Sequence, residues 1–154
     1  MKISRTALSL LAGLALVGAL SACTATISLE AAADSNNPAC AEISVRLPDQ
    51  VAELEKRVTD AQATGAWGNP TAVILRCGLP PVEVSQLPCV TANGVDWLVD
   101  ESAKPSYRFI TFGRNPATEV IVDSIKVAGV TALSDLSGAI QSIEATKQCS
   151  EVSN

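Results

Sequence analysis

The sequence predicts an α+β domain, with a small antiparallel sheet of three to five strands packed against a short N-terminal helix and a C-terminal amphipathic helix. Asn93-Gly94 lies between two runs that alternate apolar and polar residues, which is the strongest short-range mark of a hairpin because a type I′ turn needs positive φ at both central positions. Alternating runs follow at 107–113 and 118–123, so we expect a meander. Beyond Thr131, apolar residues recur every three and four positions, as on one face of a helix.

Proline and capping residues mark the elements before the hairpin. Asn37 and Pro38 favour a helix start, as the cap and the first helical position. That helix should end before Pro48, because the residue preceding a proline avoids the α region. A continuous apolar run with β-branched residues at 71–77 is typical of a buried strand, and 82–87 is expected to be extended at an edge.

The segment 49–63 allows two interpretations. Val51, Leu54 and Val58 recur at helical spacing, which favours a helix. The charged stretch from Leu54 to Thr59 would also suit an edge strand. On the local pattern we expect a helix.

The start of the chain has the pattern of a signal peptide. A basic beginning, Met1–Arg5, precedes a nearly uncharged run of about sixteen residues, whereas a helix needs roughly 20 to cross a bilayer. The run ends in Leu20-Ser21-Ala22-Cys23, which resembles the bacterial lipobox. In proteins with that motif, the cysteine thiol receives diacylglycerol and the chain is cut before the cysteine. An uncleaved signal anchor is the alternative.

This interpretation divides the chain into four parts. Residues 1–22 are the signal peptide, residues 23–37 a flexible tether with lipid on its first residue, residues 38–150 a single domain and residues 151–154 a tail. The mature chain has nine basic and sixteen acidic side chains, a net charge of −7, which argues against nucleic acid as a partner. We expect membrane contact through the lipid alone, on the outer face of the cytoplasmic membrane.

Four cysteines remain once Cys23 is assigned to lipid. An even number in an exported protein predicts two disulfides, and the sequence does not choose among the three connectivities. We favour Cys40–Cys77 with Cys89–Cys149, because each bond would fasten a helix to the sheet. We expect neither a metal nor a cofactor, since the chain has no histidine and no Cys-x-x-Cys spacing.

The lack of histidine also narrows the possible catalysis. It removes the usual general base and excludes a Ser-His-Asp triad or a Cys-His pair. Carboxylates remain, and Asp96 and Asp100 fall on one predicted strand face, next to Glu101. A glycosidase needs two carboxyl groups some 5–10 Å apart. The simpler interpretation is the solvated face of an antiparallel sheet.

Four residues are the candidates for a binding site, namely Arg76, Asp96, Trp97 and Arg114. Arginine binds carboxylate or phosphate bidentately. The simpler explanation of the two arginines and Asp96 is an ion pair, for example between Asp96 and Arg76 or Arg114. Trp97 could stack on a ligand, but a domain with few aromatic residues needs the area of Trp97 and Trp67 in its core.

Several motifs of the chain occur together. They are the lipobox, Asn-Pro-Ala-Cys at the helix start, Leu47-Pro48, Ala66-Trp67-Gly68-Asn69-Pro70, Leu75-Arg76-Cys77-Gly78, Asn93-Gly94-Val95-Asp96-Trp97 and Phe112-Gly113-Arg114. This combination resembles a known family, the small exported actinobacterial proteins grouped as domain of unknown function 3515. The resemblance spans about Pro38 to Cys149. It implies an envelope protein of a high-G+C Gram-positive bacterium and implies no activity. In related sequences the region after Leu47-Pro48 looks extended, which opposes the helix expected for 49–63.

We therefore expect a non-catalytic binding or accessory module of the cell envelope, with an envelope protein as the partner it would meet there. One alternative is a carboxylate-based enzyme acting on envelope glycan or peptide. Another is a small solute-binding lipoprotein, which is disfavoured because about 115 folded residues cannot form the two large lobes usual for that class.

Overall fold

A computed structural model describes residues 25–149, so the lipidation predicted at Cys23 and the predicted tail lie outside the described residues. Neither helix within 25–149 is long and apolar enough to span a bilayer. The elements in chain order are α1 Pro38–Ser44, β1 Gln50–Val51, β2 Leu54–Arg57, β3 Thr64–Trp67, β4 Val73–Leu79, β5 Cys89–Ala92, β6 Val95–Asp100, β7 Ser106–Thr111, β8 Ala117–Asp123 and α2 Gly129–Ile140.

The strands form one antiparallel sheet in the order β1-β2-β3-β4-β8-β7-β6-β5. The sheet consists of two four-stranded meanders, β1–β4 and β5–β8, which are joined where β4 pairs with β8. The α+β class with an antiparallel sheet, two helices and two disulfides is confirmed. The expected size of three to five strands is wrong, because β1 and β2 lie in the segment expected to be a helix, and β3 follows it where no strand was predicted.

The helix expected over 49–63 is replaced by a short hairpin. Ala52 and Glu53 have φ of 48° and 65° and form the turn between β1 and β2. A right-handed helix does not accommodate residues in the left-handed region. Strand β2 then pairs with β3, where Lys56 lies opposite Trp67. Pairing with a strand later in the chain therefore outweighs the local helical spacing.

The predicted turn at Asn93-Gly94 is present, with φ of 45° and 78° as a type I′ turn requires. Helix α2 is also present, but it ends at Ile140, whereas the apolar spacing continues to Ile143. Residues 141–149, here called the C-terminal segment, leave the helix and run over the sheet as turns and bends.

The first helix begins as its sequence predicts. The Asn37 side chain accepts a hydrogen bond from the amide of Ala39 at 3.0 Å, and Pro38 is the first helical residue. The helix ends at Ser44, before Pro48. It buries Cys40 and Ile43 against the sheet.

Both helices pack on one face of the sheet, which we call the helix face. The main core lies there, and Trp67 and Trp97 are both fully buried in it, as predicted. Strand residues pointing to this face alternate with residues on the other face, as pleating requires. The other large, fully buried apolar residues of the core include Ile43, Leu75, Val73, Val95, Val120, Leu133, Leu136 and Ile140.

The opposite face, here called the open face, is covered in part by residues 80–88, the crossing connection. Strand β5 lies three strands beyond β8, so the chain must cross the sheet to reach it from β4. Leu79 and Val82 pack on a second apolar cluster formed by Leu98, Ile110 and Ala117. The extended edge segment expected at 82–87 is therefore irregular chain lying over this face.

Residues 25–37 lie against the sheet, so the flexible tether expected over 23–37 is wrong for this part. The amide of Ile27 donates to the carbonyl of Val58 at 2.8 Å, and that of Asp34 donates to Gly78 at 3.0 Å. These bonds satisfy backbone polar groups in a segment of small and polar residues, which has little apolar surface to bury.

Candidate functional site

The cysteines are joined in the pairing that the sequence analysis favours. Cys40 and Cys77 form one disulfide and Cys89 and Cys149 the other, with Cα–Cα distances of 5.6 and 6.1 Å. The first bond is fully buried and fastens α1 to β4. The second fastens the exposed edge strand β5 to the C-terminal segment, rather than to a helix, and Cys89 is exposed.

Arg76 forms an ion pair, as its simpler explanation predicts, but the partner is Glu119 and not Asp96. The Nε atom of Arg76 donates to the Glu119 carboxylate at 2.6 Å, and Arg108 on β7 also pairs with that carboxylate. Glu119 is 1% exposed, and the two arginine side chains are 31% and 38% exposed. This triad spans β4, β8 and β7 on the open face, where the two meanders meet.

Trp97 is a core residue and does not reach the open face. Within residues 25–149, its indole N–H is buried and has no hydrogen-bond partner. The indole N–H of Trp67 donates to the carbonyl of Pro48 at 3.1 Å. The tryptophans therefore stabilise the core and carry no surface for a ligand.

Asp96 holds three pieces of chain together. One carboxylate oxygen accepts the hydroxyl of Thr91 at 2.6 Å, and the other accepts the amide of Cys149 at 2.7 Å. Asp100 is four residues further along β6, or about 14 Å at 3.4 Å per residue. That separation exceeds the range for a pair of glycosidase carboxyl groups.

Arg114 is a buried cation, with 6% of its surface exposed. Its Nη1 donates to the carbonyl of Ile143, which helps to hold the C-terminal segment. Among residues 25–149, its Nε is buried without a hydrogen-bond partner, and no carboxylate lies within 4.0 Å to form an ion pair. Burial lowers the pKa of the guanidinium, and the nearby charge of Asp96 partly offsets this.

Asp96 and Arg114 line one pocket on the open face, with a volume of about 950 Å³, here called the open-face pocket. Its floor is the β5–β6 hairpin, and its walls are the crossing connection and the C-terminal segment. Lys147 forms an ion pair with Glu83 that joins the two walls. The remaining lining residues include Leu87, Pro88, Leu98, Phe112, Thr91, Gln148 and the Cys89–Cys149 disulfide.

Of the four candidate binding residues, the structure thus brings Asp96 and Arg114 to one pocket, and places Arg76 and Trp97 elsewhere. Sequence reasoning missed Glu119, although a lone acid inside an apolar strand was a signal for it. Residues 25–149 contain no group of three or more cysteine or acidic side chains placed to hold a metal ion.

Comparison with known proteins identifies a family without assigning an activity. Residues 5–149 match the family described as "Protein of unknown function (DUF3515)". No curated protein and no solved structure matches the chain. Because the match covers nearly the whole sequence, the chain belongs to this family.

Proposed function

We propose that this member of the DUF3515 family is a non-catalytic binding module of the cell envelope, held on the outer face of the cytoplasmic membrane by acyl chains on Cys23. The observation that carries the binding role is the open-face pocket. It sets the buried guanidinium of Arg114 and the carboxylate of Asp96 among apolar and uncharged polar side chains.

The size and lining of the pocket support binding of a small molecule or a short chain segment. Sites for such ligands occupy about 300–1,000 Å³ and combine apolar walls with a few fixed polar groups. Here both charged groups are fixed by the fold, because Asp96 binds the amide of Cys149 and Arg114 binds the carbonyl of Ile143. A pre-formed pocket loses little conformational entropy when it is filled.

The alternative of a carboxylate enzyme receives less support. Asp96 is the acidic residue in the lining of the pocket, and both of its oxygens already accept hydrogen bonds. A second carboxyl group across a scissile bond would be needed. Glu101 borders a separate apolar groove beside Tyr107 instead.

The membrane anchor is supported by the lipobox pattern and is compatible with the contact that Ala25 makes. The guanidinium of Arg57 donates to the carbonyl of Ala25 at 2.9 Å, two residues after Cys23. Lipid on that cysteine would therefore attach close to the folded domain.

Labelling with an alkyne-bearing fatty acid tests the anchor. The wild-type chain is expected to take up the label and to fractionate with membranes, whereas Cys23→Ser loses both properties. Ser21→Ala keeps a small residue at its lipobox position and is the matched control that should retain them. If the wild type takes up no label, or if the Cys23→Ser variant is labelled, the proposed lipid anchor on Cys23 is wrong.

Crosslinking in cells, followed by capture of the lipidated protein, tests the accessory role. Recovery of one envelope protein in stoichiometric amount supports it. Recovery of none, together with altered envelope glycan after deletion of the gene, favours the enzymatic alternative.

A further inference from the structure

We propose that the open-face pocket binds a monoanionic ligand that places a carboxylate on Arg114 and an apolar body between the crossing connection and β6. This inference rests on the proposed binding function and adds the chemical class of the ligand.

The state of Arg114 points to an anion. A buried cation is unfavourable unless a counter-charge and hydrogen bonds compensate for the water it has lost. Within residues 25–149, Arg114 binds one backbone carbonyl and has no carboxylate within 4.0 Å, and its buried Nε is unused. A guanidinium presents its donors in a planar fork, which matches the planar carboxylate group.

The apolar lining indicates the rest of the ligand. Leu87 and Pro88 of the crossing connection line the pocket together with Leu98 and Phe112. A bare carboxylate would leave most of the roughly 950 Å³ unfilled. A short peptide with an apolar C-terminal end or a short acyl chain would fill more of it, and both offer the same chemistry.

Asp96 limits the charge that the pocket accepts. Its carboxylate is held in place by Thr91 and by the amide of Cys149, so it cannot turn away from a bound anion. A second negative charge on the ligand would be repelled by this carboxylate at short range. The pocket therefore favours a carboxylate over a phosphate dianion.

The other arginines of the open face are less suited to this role. Arg76 and Arg108 already share the carboxylate of Glu119 and are about one third exposed to water. Their remaining attraction for an anion is screened by solvent. Arg108 therefore serves as the control position for Arg114.

The test is an NMR titration of the full lipidated chain in detergent with N-acetyl-leucyl-alanine, its C-terminal amide and hexyl phosphate. We expect the free carboxylate to bind about tenfold more tightly than the amide, since charged hydrogen bonds of this kind are worth at least that factor. The amide signals of Leu98, Phe112 and Gln148 should shift. Equal affinity for carboxylate and amide, tighter binding of hexyl phosphate, or no binding of any probe would overturn the proposal.

Variants identify the residue responsible. Arg114→Gln should reduce carboxylate affinity about tenfold and leave amide affinity unchanged, whereas Arg108→Gln should alter neither. An unchanged carboxylate affinity in a folded Arg114→Gln protein would contradict the assignment. If that variant does not fold, the carboxylate-to-amide ratio of the wild type decides alone. If the carboxylate probe does not bind, although Cys23 is lipidated and a partner is captured, the proposed ligand class is excluded and the envelope role is retained.

Discussion

At the scale of single residues, glycines and an arginine in the family motifs hold residues 25–37 and the C-terminal segment against the sheet. Gly78 has a φ of 108° and accepts the amide of Asp34, and no side chain would fit between their backbones. Gly113 has the same role at the other end, where its carbonyl accepts both the amide and the hydroxyl of Thr146. Arg114, its neighbour, binds Ile143 in the same segment.

Glu119 should be important for stability although it lies outside the pocket. Replacing it by glutamine keeps the shape of the side chain and removes the charge shared by Arg76 and Arg108. We expect Glu119→Gln to lower the free energy of unfolding by about 2 kcal/mol, the usual loss for charged hydrogen bonds when the partners are partly solvated. Urea unfolding measures this. Glu53→Gln, at an exposed position, should change stability by less than about 0.5 kcal/mol, and equal losses for the two variants would show that the triad contributes nothing.

Two glycine-to-alanine substitutions should have opposite effects. A Cβ on Gly113, whose φ is 71°, would overlap the backbone of Lys147, so Gly113→Ala should destabilise by more than about 2 kcal/mol. Gly138 lies inside α2 with open space around the Cβ position, so Gly138→Ala should stabilise by up to about 1 kcal/mol. Thermal unfolding compares them. A stable Gly113→Ala protein would mean that the C-terminal segment is not held close to the sheet.

At the scale of elements, prediction from sequence succeeded where the signal is local. Asn93-Gly94 specifies its own turn, and Asn37-Pro38 specifies the start of its helix. It failed for β1–β3, because Val51, Leu54 and Val58 have helical spacing and only the distant partner strand decides between helix and hairpin. The pocket depends on contacts of the same distant kind, since Asp96 binds the amide of Cys149, which lies 53 residues further along the chain.

Residues 25–37 should be held less firmly against the sheet in acid, because Asp60 becomes protonated. The amide of Leu29 donates to this carboxylate at 2.9 Å and, with the Ser28 side chain, holds its pKa below the usual value. Because the pKa of Asp60 is lower in the folded protein than in the unfolded chain, its ionised carboxylate stabilises the fold above the unfolded-state pKa. This stabilisation is lost as pH falls through the folded-state pKa, so the change occurs below about pH 4. Amide exchange at Ile27 and Leu29, corrected for its intrinsic pH dependence, should speed up there. Asp60→Asn should show fast exchange already at neutral pH, and a pH response that survives in this variant would assign the effect to another group.

At the scale of the whole molecule, the two faces of the sheet serve different purposes. The helix face is filled by α1 and α2 and accounts for most of the core. The open face is covered only by irregular chain, which leaves the pocket between the crossing connection and the C-terminal segment. Binding sites are commonly built in this way, from loops positioned by a rigid scaffold.

The proposed anchor also predicts how the domain meets the membrane. The side chain of Arg57, the last residue of β2, holds Ala25, so acyl chains on Cys23 would lie within two residues, or about 7 Å, of Ala25 near β2. Strand β5, beside the pocket, is six strands from β2, or roughly 30 Å at 4.8 Å per strand. We therefore expect vesicles to slow amide exchange of the lipidated protein at exposed Val58 and to leave Thr91 unchanged, so that the pocket stays open to the envelope. The non-lipidated Cys23→Ser protein should show no change at either residue, and protection at Thr91 would place the pocket at the membrane instead.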